Sequence, residues 1–172
     1  MKKLFSVFAV LIAGVLLSSS LFAKAEKSEN SNTMFSELKM LEGNWMGTHK
    51  TEKGEEEVPV NFALSSGGSI LVEKMFAGEK KEMMSVYHPA GETVLMTHYC
   101  MLGNQPRMRL SKQSGKVFQF KFQDASNIGK KDPHMHELKV TLEDDRHFSQ
   151  EWSFYENGKL ANTEVFHFVR KK

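Results

Sequence analysis

Between Trp45 and Arg170 the apolar residues fall at every second position in short runs, each bounded by turn chemistry, the pattern of half-buried strands. Trp45–Glu52 is the first predicted strand and Lys53-Gly54 turns it. Val58, Val60, Phe62 and Leu64 alternate in the second, which stops at Ser65-Ser66-Gly67-Gly68. Ile70–Phe76, Met83–His88, Thr93–Leu102 and Arg107–Ser111 follow, separated by Ala77-Gly78, "HPAGE" and "GNQP". After Ser114-Gly115 comes the cleanest alternation in the chain, "VFQFKFQ", with Phe118, Phe120 and Phe122 on one face and Gln119, Lys121 and Gln123 on the other. The longer loop "DASNIGKKDP" leads to Met135–Glu143. The last two strands, His147–Tyr155 and Leu160–Arg170, flank Asn157-Gly158, the strongest short-range hairpin signal.

Only one stretch has a helical period. In "MFSELKML" Phe35, Leu38 and Leu41 recur at helix spacing, with Asn32 or Thr33 placed to cap it. A short helix followed by ten strands on tight turns predicts an all-β, antiparallel up-and-down barrel, because closure removes the exposed edges of a meander. A two-sheet sandwich is the alternative, and it usually requires longer Greek-key crossovers. A barrel of this size has room for one small ligand.

The first residues read differently. "MKKLFSVFAVLIAGVLLSSSLFAKA" places Lys2 and Lys3 before an apolar run and ends on Ala23-Lys24-Ala25, the layout of a secretory signal peptide cleaved after Ala25. The run is shorter than the roughly 20 residues of a membrane span, and no cysteine near the cleavage point would take a lipid. The expected organisation is a signal peptide at 1–25, a flexible lead-in at 26–33 and one barrel domain at 34–172. The mature chain is then periplasmic or secreted, with no membrane anchor. Losing Lys2, Lys3 and Lys24 takes the 23 basic residues to 20 against 21 acidic ones, so the formal charge is −1 in place of +2. That near-neutral balance disfavours a nucleic-acid partner. Cys100 is the only cysteine, so no internal disulfide can form, and a lone thiol most often packs as a small buried hydrophobe.

Strand parity selects the candidate chemistry. His98 and Cys100 share a face with Val94, Met96 and Leu102, and His134 and His136 share one with Leu138, Val140 and Leu142. The more apolar face of a barrel strand is the interior, so four donors are expected to point inward. Imidazole and thiolate together suit zinc or copper, although the two strands are not neighbours in a meander. The bland alternative is equally concrete: His98 as a core histidine, His134 as a loop histidine beside Pro133, and the methionines as core fill. For an apolar or amphipathic ligand, His98, Cys100, Arg107, His136 and Trp152 are the candidate contacts, within a wall or core of Phe118, Phe120, Phe122, Trp152 and Phe154. Catalysis has little support: no G-x-S-x-G, P-loop or H-E-x-x-H is present, and His98 and Cys100 lie about 6–7 Å apart on one strand.

"LEGNWMG", with Gly43, Trp45 and Gly47 just after the helix, resembles the Gly-x-Trp start of the calycin superfamily, which includes lipocalins, fatty-acid-binding proteins and nitrobindin-like haem barrels. "THYC" followed by "GNQPRM" is similar to secreted, lipocalin-like bacterial proteins. The resemblance implies that Trp45 closes one end of the barrel and that Arg170 packs over it as a cation–π partner. It also implies a lumenal small-molecule ligand, with a haem ligated near His167 as the nitrobindin-like variant. The chain departs from that variant, reading Thr48-His49-Lys50 where those barrels carry a longer glycine run. Fatty-acid-binding proteins use arginines inside the barrel for a carboxylate; Arg107 and Arg109 lie on a strand here, yet they alternate with Met108 and Leu110 as outward residues would.

The expected function is an exported barrel that binds a small apolar or amphipathic molecule in its lumen. The alternative is a metal- or haem-binding barrel using the inward His and Cys residues.

Overall fold

A computed structural model describes residues 30–52 and 54–172, and the expected signal peptide lies outside them. Helix α1 spans Asn30–Leu38 and tightens into a 3-10 turn at Lys39–Leu41. It begins before Asn32 and Thr33, so these residues are inside the helix and do not cap it, and the expected lead-in is helical from residue 30. Ten strands follow: β1 (Gly43–Thr51), β2 (Gly54–Ser65), β3 (Ile70–Met75), β4 (Met83–Ala90), β5 (Thr93–Tyr99), β6 (Gln105–Ser114), β7 (Val117–Ser126), β8 (His134–Leu142), β9 (His147–Glu156) and β10 (Lys159–Arg170). Each pairs antiparallel with the next, and β10 pairs with β1, so the sheet is a closed barrel. The fold class read from the period-two pattern is the one observed.

An up-and-down order gives the barrel two distinct poles. Strand β1 starts and β10 ends at the helix pole, where α1 packs on β4 and β5. The loops after β1, β3, β5, β7 and β9 gather at the opposite, loop pole. At the helix pole the core is aromatic. Trp45 meets Phe148 edge-on at 4.7 Å between ring centroids, and Phe148 stacks on Phe168 at 4.4 Å. Phe62 meets Phe148 edge-on at 5.8 Å, and Phe118 and Phe120 of β7 are also fully buried.

The "GNWMG" segment has a steric logic. A Cβ on Gly47 would lie 2.4 Å from the Phe168 ring, so only glycine lets that ring lie against β1. Gly43 has φ +127°, a conformation open to glycine, and a Cβ there would press on the Arg170 guanidinium. Trp45 donates its indole N–H to the Leu41 carbonyl at 2.7 Å. Arg170 lies 4.1 Å over the Trp45 ring and donates to the carbonyls of Glu42 (2.7 Å), Met40 (2.6 Å) and Asp145 (2.9 Å). One guanidinium thus ties the end of the 3-10 turn, the β8–β9 loop and the closing tryptophan together.

The Asn157-Gly158 turn has positive φ at both residues, 55° and 75°, as a two-residue primed hairpin requires. One predicted strand is shorter than expected. Strand β5 stops at Tyr99; Cys100 N–H donates to the Asn104 carbonyl across a tight turn, and Leu102 is exposed. The parity argument therefore holds through His98 and fails for Leu102, because the chain has already turned.

Candidate functional site

Halfway between the poles the interior is polar. Glu73 of β3, Ser85 and Tyr87 of β4, His98 of β5 and Gln150 of β9 are all buried, at interior-facing positions of their strands. Their neighbours in phase are apolar: Leu71 and Met75 flank Glu73, and Phe148 and Trp152 flank Gln150. An unpaired polar group here would cost several kcal/mol on the order of its desolvation, and the geometry shows how nearly all are paired. Tyr87 O–H donates to Glu73 Oε2 at 2.7 Å, and Gln150 Nε2 donates to Glu73 Oε1 at 2.8 Å. Trp152 Nε1 donates to Gln150 Oε1 at 3.0 Å. Strands β3 and β9 are not neighbours in the sheet, so the Glu73–Gln150 bond spans the lumen. Ser85 sits beside Glu73 and Tyr87, and its Oγ lies 3.0 Å from His98 Nδ1. The His98 ring tilts against the Trp152 indole at 4.8 Å between centroids.

Burial dominates the electrostatics. It pushes the Glu73 carboxyl above the usual carboxylate range, opposed by the hydrogen bonds from Tyr87, Gln150 and Ser85. The Tyr87 hydroxyl is raised by burial first and by the Glu73 charge second. Burial lowers His98 to about 4, so its imidazole is neutral at physiological pH. Among the described residues, one ring nitrogen of the cluster has no partner: His98 Nε2, fully enclosed on a side chain only 2% exposed. Asn104 Oδ1, in the β5–β6 turn at the loop pole, is the other such atom.

The layer between this cluster and the loop pole is soft. Met75 is buried, Met83 and Met135 pack partly buried on the core, and Phe154 pairs with Met135 in the ladder. Unbranched methionines repack at low cost.

The sequence-derived candidates separate. His98 and Trp152 lie in the interior and touch each other, as the parity placed them. Cys100 is half-buried beyond the end of β5, and burial raises its thiol pKa. Arg107 is on the outer face, exposed, and forms a two-pronged pair with Asp124, so it does not reach a lumenal ligand. Arg109, also outward, donates to Gln123.

His134 and His136 are held elsewhere. A register shift between Met135 and Glu137 turns Met135 onto the core, and His136 becomes stacked between Phe122 (4.9 Å) and Tyr155 (4.0 Å). His134 Nδ1–H donates to the Asp132 carbonyl at 2.8 Å, and its Nε2 lies 3.0 Å from His136 Nδ1. Burial and the neighbouring His134 lower the His136 pKa.

The four metal-site candidates are thus not brought together, and among the described residues no group of three or more His, Cys, Asp or Glu is arranged to hold a metal ion. Haem ligation through His167 does not fit either: that side chain is exposed on the outside of β10, between the buried Phe166 and Phe168.

The serine of the cluster lies between carboxylate and imidazole. A catalytic triad places the imidazole between the serine and the acid, where it can take the serine's proton. Here the acid, Glu73, is held by Tyr87 and Gln150, and Ser85 is the group beside His98 Nδ1, so no carboxylate orients the imidazole.

Glu73, Ser85, Tyr87 and Gln150 were not among the candidates read from the sequence. The signal for Glu73 and Gln150 was present in "ILVEKM" and "HFSQEWSF", where a charged or amide side chain occupies an apolar-phase position of an otherwise clean strand.

No family model and no curated protein matches the chain. Among solved structures, a redesigned β-barrel is similar over 77% of this chain and 92% of its own, at TM-score 0.37 and 11% identity. EF1p2_mFAP2b, solved bound to DFHBI, is similar over 80% of this chain and 99% of its own, at TM-score 0.38 and 10% identity.

Proposed function

We propose that this chain is an exported, calycin-like barrel that binds a small amphipathic molecule in the lumen, on the His98 side of the polar cluster. The observation that carries the reading is His98 Nε2, enclosed and without a partner in an interior where the neighbouring polar groups are satisfied. A buried polar atom left unpaired costs about 1–3 kcal/mol, and a ligand that pairs with it recovers that cost. The apolar part of the ligand would replace contacts now made by Met75, Met83 and Met135, and Trp152 would pack on it. The helix pole supports the same assignment: Trp45, Phe148, Phe168 and the Arg170 clamp plug that end, leaving the loop pole for entry. The Gly43-x-Trp45 start and Arg170 over the tryptophan are the features the calycin resemblance implies.

The test is native mass spectrometry of the protein recovered from the bacterial envelope, compared with its denatured mass. An organic excess that disappears in a His98→Phe variant supports the reading. Equal native and denatured masses, together with failure of short aromatic alcohols to change Trp152 fluorescence, would count against it.

A further inference from the structure

We infer that the loop-pole ends of β6 and β7 form a flap that swings away from the barrel and opens the lumen beside His98. The inference rests on the lumen-binding reading above and supplies the ligand's way in.

The seams of the sheet mark the flap out. The β5–β6 ladder runs from Leu95 to Thr97, against Arg109 to Arg107. The β7–β8 ladder runs from Val117 to Lys121, against Thr141 to Glu137. Both then stop, while β6 and β7 stay paired with each other as far as Gln105 and Ser126. The strands on either side are held from behind, β5 by β4 as far as Tyr99 and β8 by β9 as far as His134. Among the described residues, the ribbon of Gln105–Arg107 and Asp124–Ser126 thus has no ladder to β5 beyond Thr97 and none to β8. The sequence contributes to the first gap. Continuing the register would set Pro106 opposite His98, and proline brings no N–H to a seam. The register shift that leaves Gln123 unpaired lies at the base of the ribbon, and a bulge there bends and twists the strand into a hinge.

Side chains and one turn close the flap. Asn104 Nδ2 donates to the Pro133 carbonyl at 2.9 Å, joining the turn after β5 to the loop before β8. Phe122 stacks on His136 and tilts against His134, both at 4.9 Å between centroids. Cys100 N–H donates to the Asn104 carbonyl at 3.2 Å. The latch carries its own opposing cost. Asn104 Oδ1 is enclosed without a partner when the flap is shut, and opening returns it to water. His98 is the first β5 residue beyond the ladder, and its ring lies against Trp152. Opening therefore exposes the bond from Trp152 Nε1 to Gln150 Oε1, whereas Trp45 stays covered at the opposite pole. A local opening of this kind needs less free energy than unfolding the barrel.

Hydrogen exchange read by NMR at the two indole N–H groups tests it, in the wild type and in Asn104→Asp. The aspartate keeps the size of the side chain, loses the donor and turns a carboxylate toward the Pro133 carbonyl. In the wild type, Trp152 should exchange faster than Trp45 and with a weaker dependence on urea. In Asn104→Asp, Trp152 exchange should rise about tenfold or more, with Trp45 unchanged. An equal rise at both indoles reports general loss of stability and overturns the flap, as does an unchanged rate at Trp152. An organic molecule recovered with the protein should also leave the variant about tenfold faster on dilution, followed by native mass. Unchanged release beside faster Trp152 exchange overturns the flap as the route. The exchange measurement needs no ligand, so its failure is distinct from that of the native mass comparison, which decides the lumen reading.

Discussion

Arg170 and His98 are single residues whose surroundings translate into measurable energies. Arg170 makes three carbonyl contacts in a fixed fork and covers the Trp45 ring. Lysine keeps the charge but has neither the planar fork nor its reach to three separate acceptors. Arg170→Lys should therefore lower unfolding stability by about 1–3 kcal/mol, read from urea denaturation, with Trp45 emission shifted to the red as its end of the barrel loosens. His98 predicts a pH dependence. Its folded-state pKa of about 4 lies below the ordinary 6.5, so protons favour the unfolded chain. The stability that comes from keeping His98 neutral is complete above pH 6.5 and is lost as the pH falls toward 4, about 3 kcal/mol in all. Glu73 acts in the opposite sense. Its raised pKa means the cost of burying its charge is absent below 4.5 and appears as the pH rises. The clean measurement is thus the difference between wild type and His98→Asn at pH 7 and pH 4, which should shrink by about 3 kcal/mol. An unchanged difference would show that His98 titrates normally.

At the scale of strands and turns, two glycines separate two kinds of constraint. Gly158 sits at φ 75° with nothing within 4 Å of an added Cβ, so Gly158→Ala should cost only the backbone penalty of about 1 kcal/mol. Gly47 is in a strand conformation any residue can adopt, but the Phe168 ring occupies the Cβ position. Gly47→Ala should cost about 1–3 kcal/mol by overpacking, and Phe168→Leu should relieve it in a double-mutant cycle. Coupling near zero would remove steric exclusion as the reason for glycine at position 47. The same scale explains what could be read from the sequence. Alternation located every strand, because burial on one face forces a period of two whatever the tertiary context. It misplaced the end of β5, since Met101 and Leu102 look like strand residues until the turn through Asn104 is known. It gave no sign that His136 would be stacked between Phe122 and Tyr155, because the register shift beside Met135 depends on how β8 meets β9. The polar cluster escaped for a different reason. Glu73 and Gln150 are 77 positions apart in the chain, and only closure makes their side chains neighbours.

Across the whole molecule, the Glu73–Gln150 bond joins two walls that share no ladder. Gln150→Leu keeps the volume but leaves Glu73 short of a donor and Trp152 Nε1 without its acceptor. It should destabilise the fold by about 2–4 kcal/mol, read as a lower urea midpoint with an unchanged slope, and a cost below about 0.5 kcal/mol would mean the two walls are held by apolar packing alone. Ring closure also has a consequence in time. Strand β1 lies beside β10, so the pairing of Trp45 with Arg170 joins the first strand of the barrel to the last. Until that last strand is added, a chain with nine strands in place has an unpaired edge on both sides and no guanidinium to seal the helix pole. The barrel is therefore closed by its last strand. A chain stopped just before Phe166 has nearly all the residues of the barrel, yet it should behave as an aggregating open sheet, and folding of the full chain should wait on the slowest and most distant contact it contains.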